Sequence, residues 1–298
     1  MNNIFSIINM DKYTIICISL VIVIIVIYNI YYKHQIFYNE ISNNIYVDTD
    51  VSTIYDIDHK ITYPFIKWHE NEYMSHIIIT RYNEPDLSRI LKPLINKKNL
   101  IIFIYNKGQD IPFGIPDDAT NVKIIQIPNL GWDSYGYVSH IINNYDNIPD
   151  FVFSIHASAE TLKHKFQIYL SLVNLSKNLD KYYLNKFYYG GNIVTIPLDF
   201  RIYNHISKAR INRVVNKFEQ AKIYPLYNWI ISKISNIPEN VLVDDNHMLA
   251  NYYGMFCVNK NSILTYPKEF YIDILDEISV WQSEVNHYLE RCWYTFYS

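Results

Sequence analysis

Four polar clusters lie where hydrophobic runs stop, and each carries side chains able to bind or react. The first is Thr80-Arg81-Tyr82-Asn83-Glu84-Pro85-Asp86, after the β-branched run His76–Thr80. It offers a guanidinium for phosphate or carboxylate, a flat ring for stacking and a carboxylate for hydroxyl groups. The same residues also suit a plain turn, with Glu84 and Asp86 favouring the N-terminus of a following helix. Tyr105-Asn106-Lys107-Gly108 adds a second cation, although N-K-G is ordinary turn chemistry as well. Pro128-Asn129-Leu130-Gly131-Trp132-Asp133 enters a helical pattern, where Asp133 is either a general base or a first-turn acid facing the helix dipole. Ser154-Ile155-His156-Ala157-Ser158-Ala159-Glu160 brings a histidine that could ligate a metal, move a proton or simply hydrogen-bond. A fifth segment, Asp244-Asp245-Asn246-His247, has a metal-like composition but no defined ligand spacing, and a solvated loop shares that composition.

Such clusters act together only if the chain gathers them. His76–Thr80 reads as a buried strand, and Leu100–Tyr105, Val122–Ile127 and Asp150–Ile155 as a second, third and fourth strand. Between them, Asp86–Lys97 sets Leu87, Ile90, Leu91, Leu94 and Ile95 at helical spacing, and Trp132–Tyr145 sets Tyr135, Val138, Ile142 and Tyr145 on one face. Ala159–Leu175 reads as a further helix. Strands alternating with helices need crossover connections and hence a mainly parallel sheet. In such sheets ligands bind beyond the carboxyl ends of the strands, where the first four clusters fall. The second half is less regular, with strands expected at Ile193–Ile196 and Gly254–Val258 and helices at Pro267–Leu275 and Gln282–Phe296. The expected fold class is α/β, Rossmann-like, with flanking helices, in one globular domain over residues 74–298.

Composition removes several function classes. The 298 residues carry 26 basic and 29 acidic groups, a formal net charge of −3. Nucleic acid is therefore not an expected partner, since its binding needs a basic excess. The 7 glycines include no two spaced as G-x-G and form no G-x-x-x-x-G-K-[ST], which excludes the dinucleotide fingerprint and the phosphate-cradling P-loop. Three cysteines are too few for a disulfide framework; only Cys257 and Cys292 could pair, and buried free thiols suit them better.

Tyr13 to Tyr32 is an uncharged run of 20 residues between Lys12 and Lys33. At about 1.5 Å per residue it reaches about 30 Å, the thickness of a bilayer core. A soluble helix is rarely apolar on every face, and a signal peptide has a shorter apolar region and a small-residue cleavage site. The expectation is an uncleaved single-pass anchor at 13–32, with a tail at 1–12 and a polar, acidic stem at 33–73. Tyr13, Tyr28, Tyr31 and Tyr32 would form an aromatic belt. The short tail and large C-terminal part suit a type II arrangement, with the domain in the secretory lumen or outside, and the sequon Asn174-Leu175-Ser176 is compatible with it.

The run His76-Ile-Ile-Ile-Thr80-Arg81-Tyr82-Asn83-Glu84 resembles the opening strand of inverting GT-A glycosyltransferases, in which a strand ends in a Y-N-E segment lining the nucleotide pocket. Asn129-x-Gly131 and the strand Asp150–Ile155 resemble their continuation. A closer resemblance is to an uncharacterised domain family of fungi and some large DNA viruses. It rests on Arg81-Tyr82-Asn83-Glu84, Tyr105-Asn106-Lys107-Gly108, Pro128-Asn129-Leu130-Gly131, His140-Ile-Ile-Asn-Asn-Tyr145-Asp146 and Pro149-Asp150 through Phe153. Gly254-x-Phe256-x-Val258, Pro267-Lys-Glu-Phe-Tyr271 and Glu290-Arg291-x-Trp293 follow, so that the resemblance spans about residues 76–298. Two departures stand out. Asp133 replaces the usual Glu, and His156-Ala157 replaces a Q-G segment. Metal-dependent GT-A enzymes hold an Asp-x-Asp pair there, whereas Asp48-Thr49-Asp50 and Asp56-Ile57-Asp58 of this chain lie in the stem, so no divalent-metal motif supports a metal cofactor.

The resemblance implies a membrane-anchored, glycosyltransferase-like protein with a nucleotide sugar as co-substrate and a glycan or protein acceptor. Tyr82 and Glu84 would contact the nucleoside, Arg81 and Lys107 the diphosphate, and Asp133 or Glu290 the acceptor hydroxyl as base. Asn129 and Arg291 join the substrate-binding set, and His156 the catalytic one. Without an Asp-x-Asp metal, cationic side chains must take the diphosphate charge. The rival expectation is a non-catalytic binding or structural module in a virion or host membrane. A metal hydrolase on His156, His164 and Asp244 is a third.

Overall fold

The computed structural model describes residues 67–191, 193–202 and 219–298, with the backbone of two short antiparallel strands, Ile54–Tyr55 and Thr62–Tyr63. The expected tail, the anchor at 13–32, both Asp-x-Asp pairs and most of the stem lie outside the described residues. Among the described residues no helix is long and apolar enough to cross a membrane. The chain divides into two compact units, Met1–Pro64 and Phe65–Ser298. The second holds a six-stranded and a three-stranded sheet.

Four strands, Ser75–Arg81 (β1), Leu100–Asn106 (β2), Val122–Gln126 (β3) and Phe151–His156 (β4), pair in parallel. Every residue of β1 and β4 is buried. That is why they read as continuous apolar runs rather than alternating ones: helices cover both faces of a parallel sheet. Later strands are Tyr188–Gly190 (β5), Ile193–Pro197 (β6), Leu242–Asp244 (β7), His247–Asn251 (β8) and Phe256–Asn259 (β9). The large sheet has the order β3-β2-β1-β4-β9-β5, with β9 antiparallel to both its neighbours. β6, β8 and β7 form a small antiparallel sheet.

Among the described residues the helices are Ser88–Leu91 (α1), Trp132–Asn144 (α2), Lys163–Leu175 (α3), Leu226–Lys233 (α4), Lys260–Ile263 (α5), Lys268–Ile278 (α6) and Glu284–Tyr297 (α7). The helix expected over Asp86–Lys97 shrinks to one turn, because Pro93 has no N–H to continue the ladder. The helix expected from Ala159 starts later. Ala157–Glu160 forms a 3₁₀ turn instead, and the Glu160 carboxylate accepts from the Arg89 and Ile90 amides at 3.1 and 3.0 Å.

Residues 67–73, expected in the stem, pack on the domain. Trp68 is 1% exposed and meets Phe153 edge-to-face at 5.3 Å, and the His69 amide donates to Ser176 Oγ at 2.9 Å. Ser176 of the sequon is thereby buried, and its hydroxyl also donates to the Val173 carbonyl. Cys257 and Cys292 are buried free thiols.

α2 crosses the sheet against β1, and a glycine sets how closely. A Cβ on Gly136 would come within 2.6 Å of Thr80 Oγ1 and 3.1 Å of Tyr105 Cβ. This close approach places the first turn of α2 directly above the ends of β1 and β4.

Candidate functional site

From β1 the chain moves outward to β2 and β3, then returns to the other side of β1 as β4. The strand order reverses there, and the crevice beyond the carboxyl ends at such a reversal is where α/β sheets receive ligands. β1 contributes Thr80 and β4 contributes His156, which are register partners. Thr80 Oγ1 donates to the Asp133 carbonyl at 3.1 Å, tying α2 to this edge. Gly131 and Trp132 both adopt left-handed backbone, at φ 56° and 44°. Glycine tolerates that conformation, whereas for a bulky tryptophan it is strained. Lys107 holds the strained turn by donating from Nζ to the Leu130 and Trp132 carbonyls.

The opposite wall is α7, which Ser283 caps by accepting from the Val285 amide at 3.1 Å. Asn286, Glu290 and Trp293, spaced four and three apart, share its inward face. The Tyr253-Gly254 turn before β9 closes a third side. Together these elements form a cleft of about 160 Å³. Asp133, His156 and Glu290, which the sequence nominates from three distant segments, all line it.

His156 is buried, with Nδ1 3.0 Å from Lys165 Nζ and 3.3 Å from Asp133 Oδ2. The two contacts favour opposite tautomers. An ammonium has only donors, so at 3.0 Å it requires Nδ1 to accept; a proton on Nδ1 would point N–H against N–H. The lysine contact is the shorter and has hydrogen-bond geometry, so we assign the ring proton to Nε2. Burial above all pushes the His156 pKa down to about 4, with Lys165 and Lys107 adding and Asp133 opposing. The ring is therefore neutral at pH 7. A Cβ on Gly254 would lie 3.6 Å from Nε2 and 3.9 Å from Glu290 Cγ, so the absent side chain keeps the space between these two groups open.

Burial raises the Glu290 pKa, with Asp133 adding, against the lowering effect of Arg291. A partly buried carboxyl with a raised pKa, set opposite a neutral imidazole N–H, is an acid/base pair with distinct roles.

Compared with known proteins, the chain matches no family model, no curated protein and no solved structure. The reading of the cleft therefore rests on its own geometry.

The remaining nominated residues are placed elsewhere. Arg81 is 3% exposed and donates to the Glu84 and Asp110 carbonyls and, at 2.7 Å, to Asn106 Oδ1. Lys107, also buried, is committed to the Leu130 and Trp132 carbonyls, and burial pushes its pKa down to about 8. Both cations brace loops and neither lines the cleft. Tyr82 is exposed, and its amide donates to Glu84 Oε2 at 3.0 Å, a local turn outside the cleft. Asn129 precedes the left-handed turn and does not line the cleft either. Arg291 is buried against the Phe200 ring and donates to Glu290 Oε2 at 3.3 Å and the His287 carbonyl at 2.7 Å, so it positions Glu290. Asp244 pairs with His247 at 2.9 Å in the exposed turn between β7 and β8, and His164 packs on Tyr253. Among the described residues no three His, Cys, Asp or Glu side chains group as a metal site, so the His156, His164 and Asp244 triad does not form.

Five lining residues are not singled out in the sequence reading: Ser134, Tyr137, Lys165, Tyr253 and Asn286. Lys165 left a sequence signal. Lys163-His164-Lys165 opens α3 with no acid in its first turn, against the preference of the helix dipole for negative charge there. Asn286 left none.

Proposed function

We propose that the chain is a membrane-anchored glycosyltransferase-like enzyme of GT-A type, moving a sugar from a nucleotide sugar to a glycan or protein acceptor. The observation that carries this reading is the convergence of Asp133, His156 and Glu290 on one cleft at the strand-order reversal. In the proposed step the acceptor hydroxyl attacks the anomeric carbon as the bond to the diphosphate oxygen breaks. The hydroxyl proton passes to the Glu290 carboxylate, and the nucleoside diphosphate leaves with the bonding pair. Asp133 orients the acceptor. His156 offers its Nε2 proton to developing negative charge, polarised from behind by Lys165.

One observation favours the rival reading, a non-catalytic binding module: Arg81 and Lys107, nominated for the diphosphate, are consumed by loop carbonyls. The test is release of nucleoside diphosphate by the full-length chain from a panel of nucleotide sugars, with and without Mn²⁺. Turnover is expected for at least one donor, falling by about 10²–10⁴-fold in Glu290→Gln. No turnover and no thermal shift across the panel would leave the binding module as the function.

A further inference from the structure

The pole of the large sheet opposite the cleft carries an apolar tip on a braced loop. After α3 the chain passes through a 3₁₀ turn, Ser176–Tyr182, into Tyr183, Leu184, Asn185 and Lys186. Two asparagines hold four consecutive carbonyls of this loop. Asn259 Nδ2, at the end of β9, donates to the Tyr182 carbonyl at 2.8 Å and to that of Asn185. Asn261 Nδ2 donates to the Tyr183 and Leu184 carbonyls, each at 3.1 Å. The backbone is thus fixed, yet the Leu184 side chain stays 81% exposed, the most of any large apolar residue among those described. Tyr183 is exposed as well, its ring 4.8 Å from that of Tyr73, and Met74 next to Tyr73 is exposed in turn. Lys181 and Lys186 flank the tip, exposed and with no acidic partner among the described residues. Tyr73 and Met74 precede β1, and Asn259 is the register partner of Phe151, the first residue of β4, so the tip lies at the amino ends of these strands.

Leucine and tyrosine set between lysines suit a bilayer interface, where apolar parts enter the headgroup boundary and ammonium groups stay in water. Glu72, Asp150 and Asp180 act on the Tyr73 phenol, so the surface is not purely basic and the apolar tip must carry the contact. The path of the chain selects the occupant. Residues 67–74 lead into the domain and reach the patch itself at Tyr73 and Met74. Only the 34 residues 33–66 separate them from the apolar run that ends at Tyr32. A bilayer tethered so closely has a high effective concentration, so a small apolar tip is enough to dock.

We infer that the Tyr183–Leu184 tip, with Met74, docks the Phe65–Ser298 unit on the bilayer that anchors the chain. This rests on the anchored reading of the proposed function and deepens it. The cleft, at the carboxyl ends, then faces away from the lipid, by up to ~23 Å for the seven residues of β1 at ~3.3 Å each. The acceptor that suits it is a hydroxyl standing clear of the membrane, not one borne on a lipid headgroup.

The test uses the full-length chain in phosphatidylcholine liposomes, with Cys17→Ser leaving only the buried Cys257 and Cys292. A thiol-reactive fluorophore is placed at Lys186→Cys or, as the far-pole control, at Ile111→Cys, which is exposed on the loop after β2. Phosphatidylcholine carrying a nitroxide near its headgroup should quench the label at 186 at least about twofold and spare that at 111, since interfacial groups lie ~5–10 Å deep. Adding Leu184→Asp should abolish the quenching at 186 without lowering the melting temperature, because the side chain it replaces is exposed. Equal quenching at both positions, or quenching at 186 that survives Leu184→Asp, would overturn the inference. No quenching at 186 in a chain that resists extraction by alkaline carbonate would remove this inference alone and leave the tip to a protein partner. Leu184-dependent quenching in a chain that carbonate strips from the liposomes would remove the anchored reading alone.

Discussion

Mild acid should destabilise the Phe65–Ser298 unit steeply, because three buried imidazoles are held neutral in the fold. His140 is fully buried on α2, with Nε2 3.0 Å from His76 Nδ1 and Nδ1 3.0 Å from the Tyr105 hydroxyl. Burial first, then the neighbouring His76, pushes His140 down to about 3. Burial, with Lys123 adding, pushes His76 to about 4, and His156 also lies at about 4. An unfolded histidine titrates near 6.5, so below that pH the unfolded chain binds up to three protons that the folded chain refuses. With folded values depressed, this stability is fully present above about pH 6.5 and is lost as pH falls toward the folded values near 4. At pH 5 each group forfeits about 1.5 × 1.36, or ~2 kcal/mol, and the three together ~4–6 kcal/mol when the coupling of His76 to His140 is allowed for. That rivals the whole stability of an ordinary domain, ~5–15 kcal/mol. Glu160 and Glu290, whose carboxyls burial pushes up, act in the opposite sense and blunt the fall. The assay is urea unfolding followed by circular dichroism at half-unit steps from pH 8 to 5. Two to three protons should be taken up on unfolding near pH 5.5, and His140→Phe should lower that number by about one, whatever it does to stability at pH 8. A flat profile from pH 8 to 5, or an unaltered slope in the variant, refutes the reasoning.

Three further outcomes rest on single contacts. Lys165→Met removes the donor to His156 Nδ1, so the ring should take its proton on Nδ1, facing Asp133, and its pKa should rise; unchanged imidazole ¹⁵N shifts would contradict the Nε2 tautomer. Gly254→Ala forces an L-residue to φ 61° and sets a methyl between His156 and Glu290. It should cost ~1–2 kcal/mol, or ~2–8 °C in Tm, and lower the release of nucleoside diphosphate, and a variant that turns over and melts like wild type counts against the cleft. A chain that starts at Met74 loses Trp68 and should melt ~6–20 °C below one that starts at Phe65, from a loss of ~3–5 kcal/mol; equal melting would return residues 67–73 to the stem.

Burial decides how much of the fold was legible in the sequence. β1, β2 and β4 are nearly continuous β-branched and aromatic runs because both faces are covered, and a run of that kind is hard to misread, whereas the edge strand β3 has no fully buried position. β7 is exposed at all three positions and β5 is half-buried throughout, so neither carried a pattern, and the small sheet was invisible until β8 joined its parts. His156 and Asp133 could be nominated because a strand end and a helix entry mark the carboxyl edge of a parallel sheet. Glu290 entered through the Glu290-Arg291-x-Trp293 resemblance, since no periodicity says which face of α7 looks into the cleft. Arg81 and Lys107 show the limit of reading by residue type: the same cation suits a phosphate and a bundle of loop carbonyls, and only burial separates the two uses.

The scarcity of glycine links these observations. Loops that approach a ligand closely with few glycines need another means of holding their shape, and here cationic side chains reach back to the carbonyls of the loops they support. Arg81 holds the loop after β2, and Lys107 holds the left-handed turn that delivers Asp133. A strut of this kind is not electrically neutral. Lys107 lies close enough to Asp133 for the carboxylate to raise its pKa, and close enough to His156 to lower that of the ring. Lys107 keeps its positive charge off the cleft lining, while Lys165, which does line the cleft, is engaged with His156 Nδ1. Under the proposed transfer a leaving diphosphate would meet a neutral N–H polarised by a cation that is already engaged with the ring. That arrangement suits charge that develops at one atom in the transition state better than charge fully present in the ground state, which is the differential binding that raises a rate.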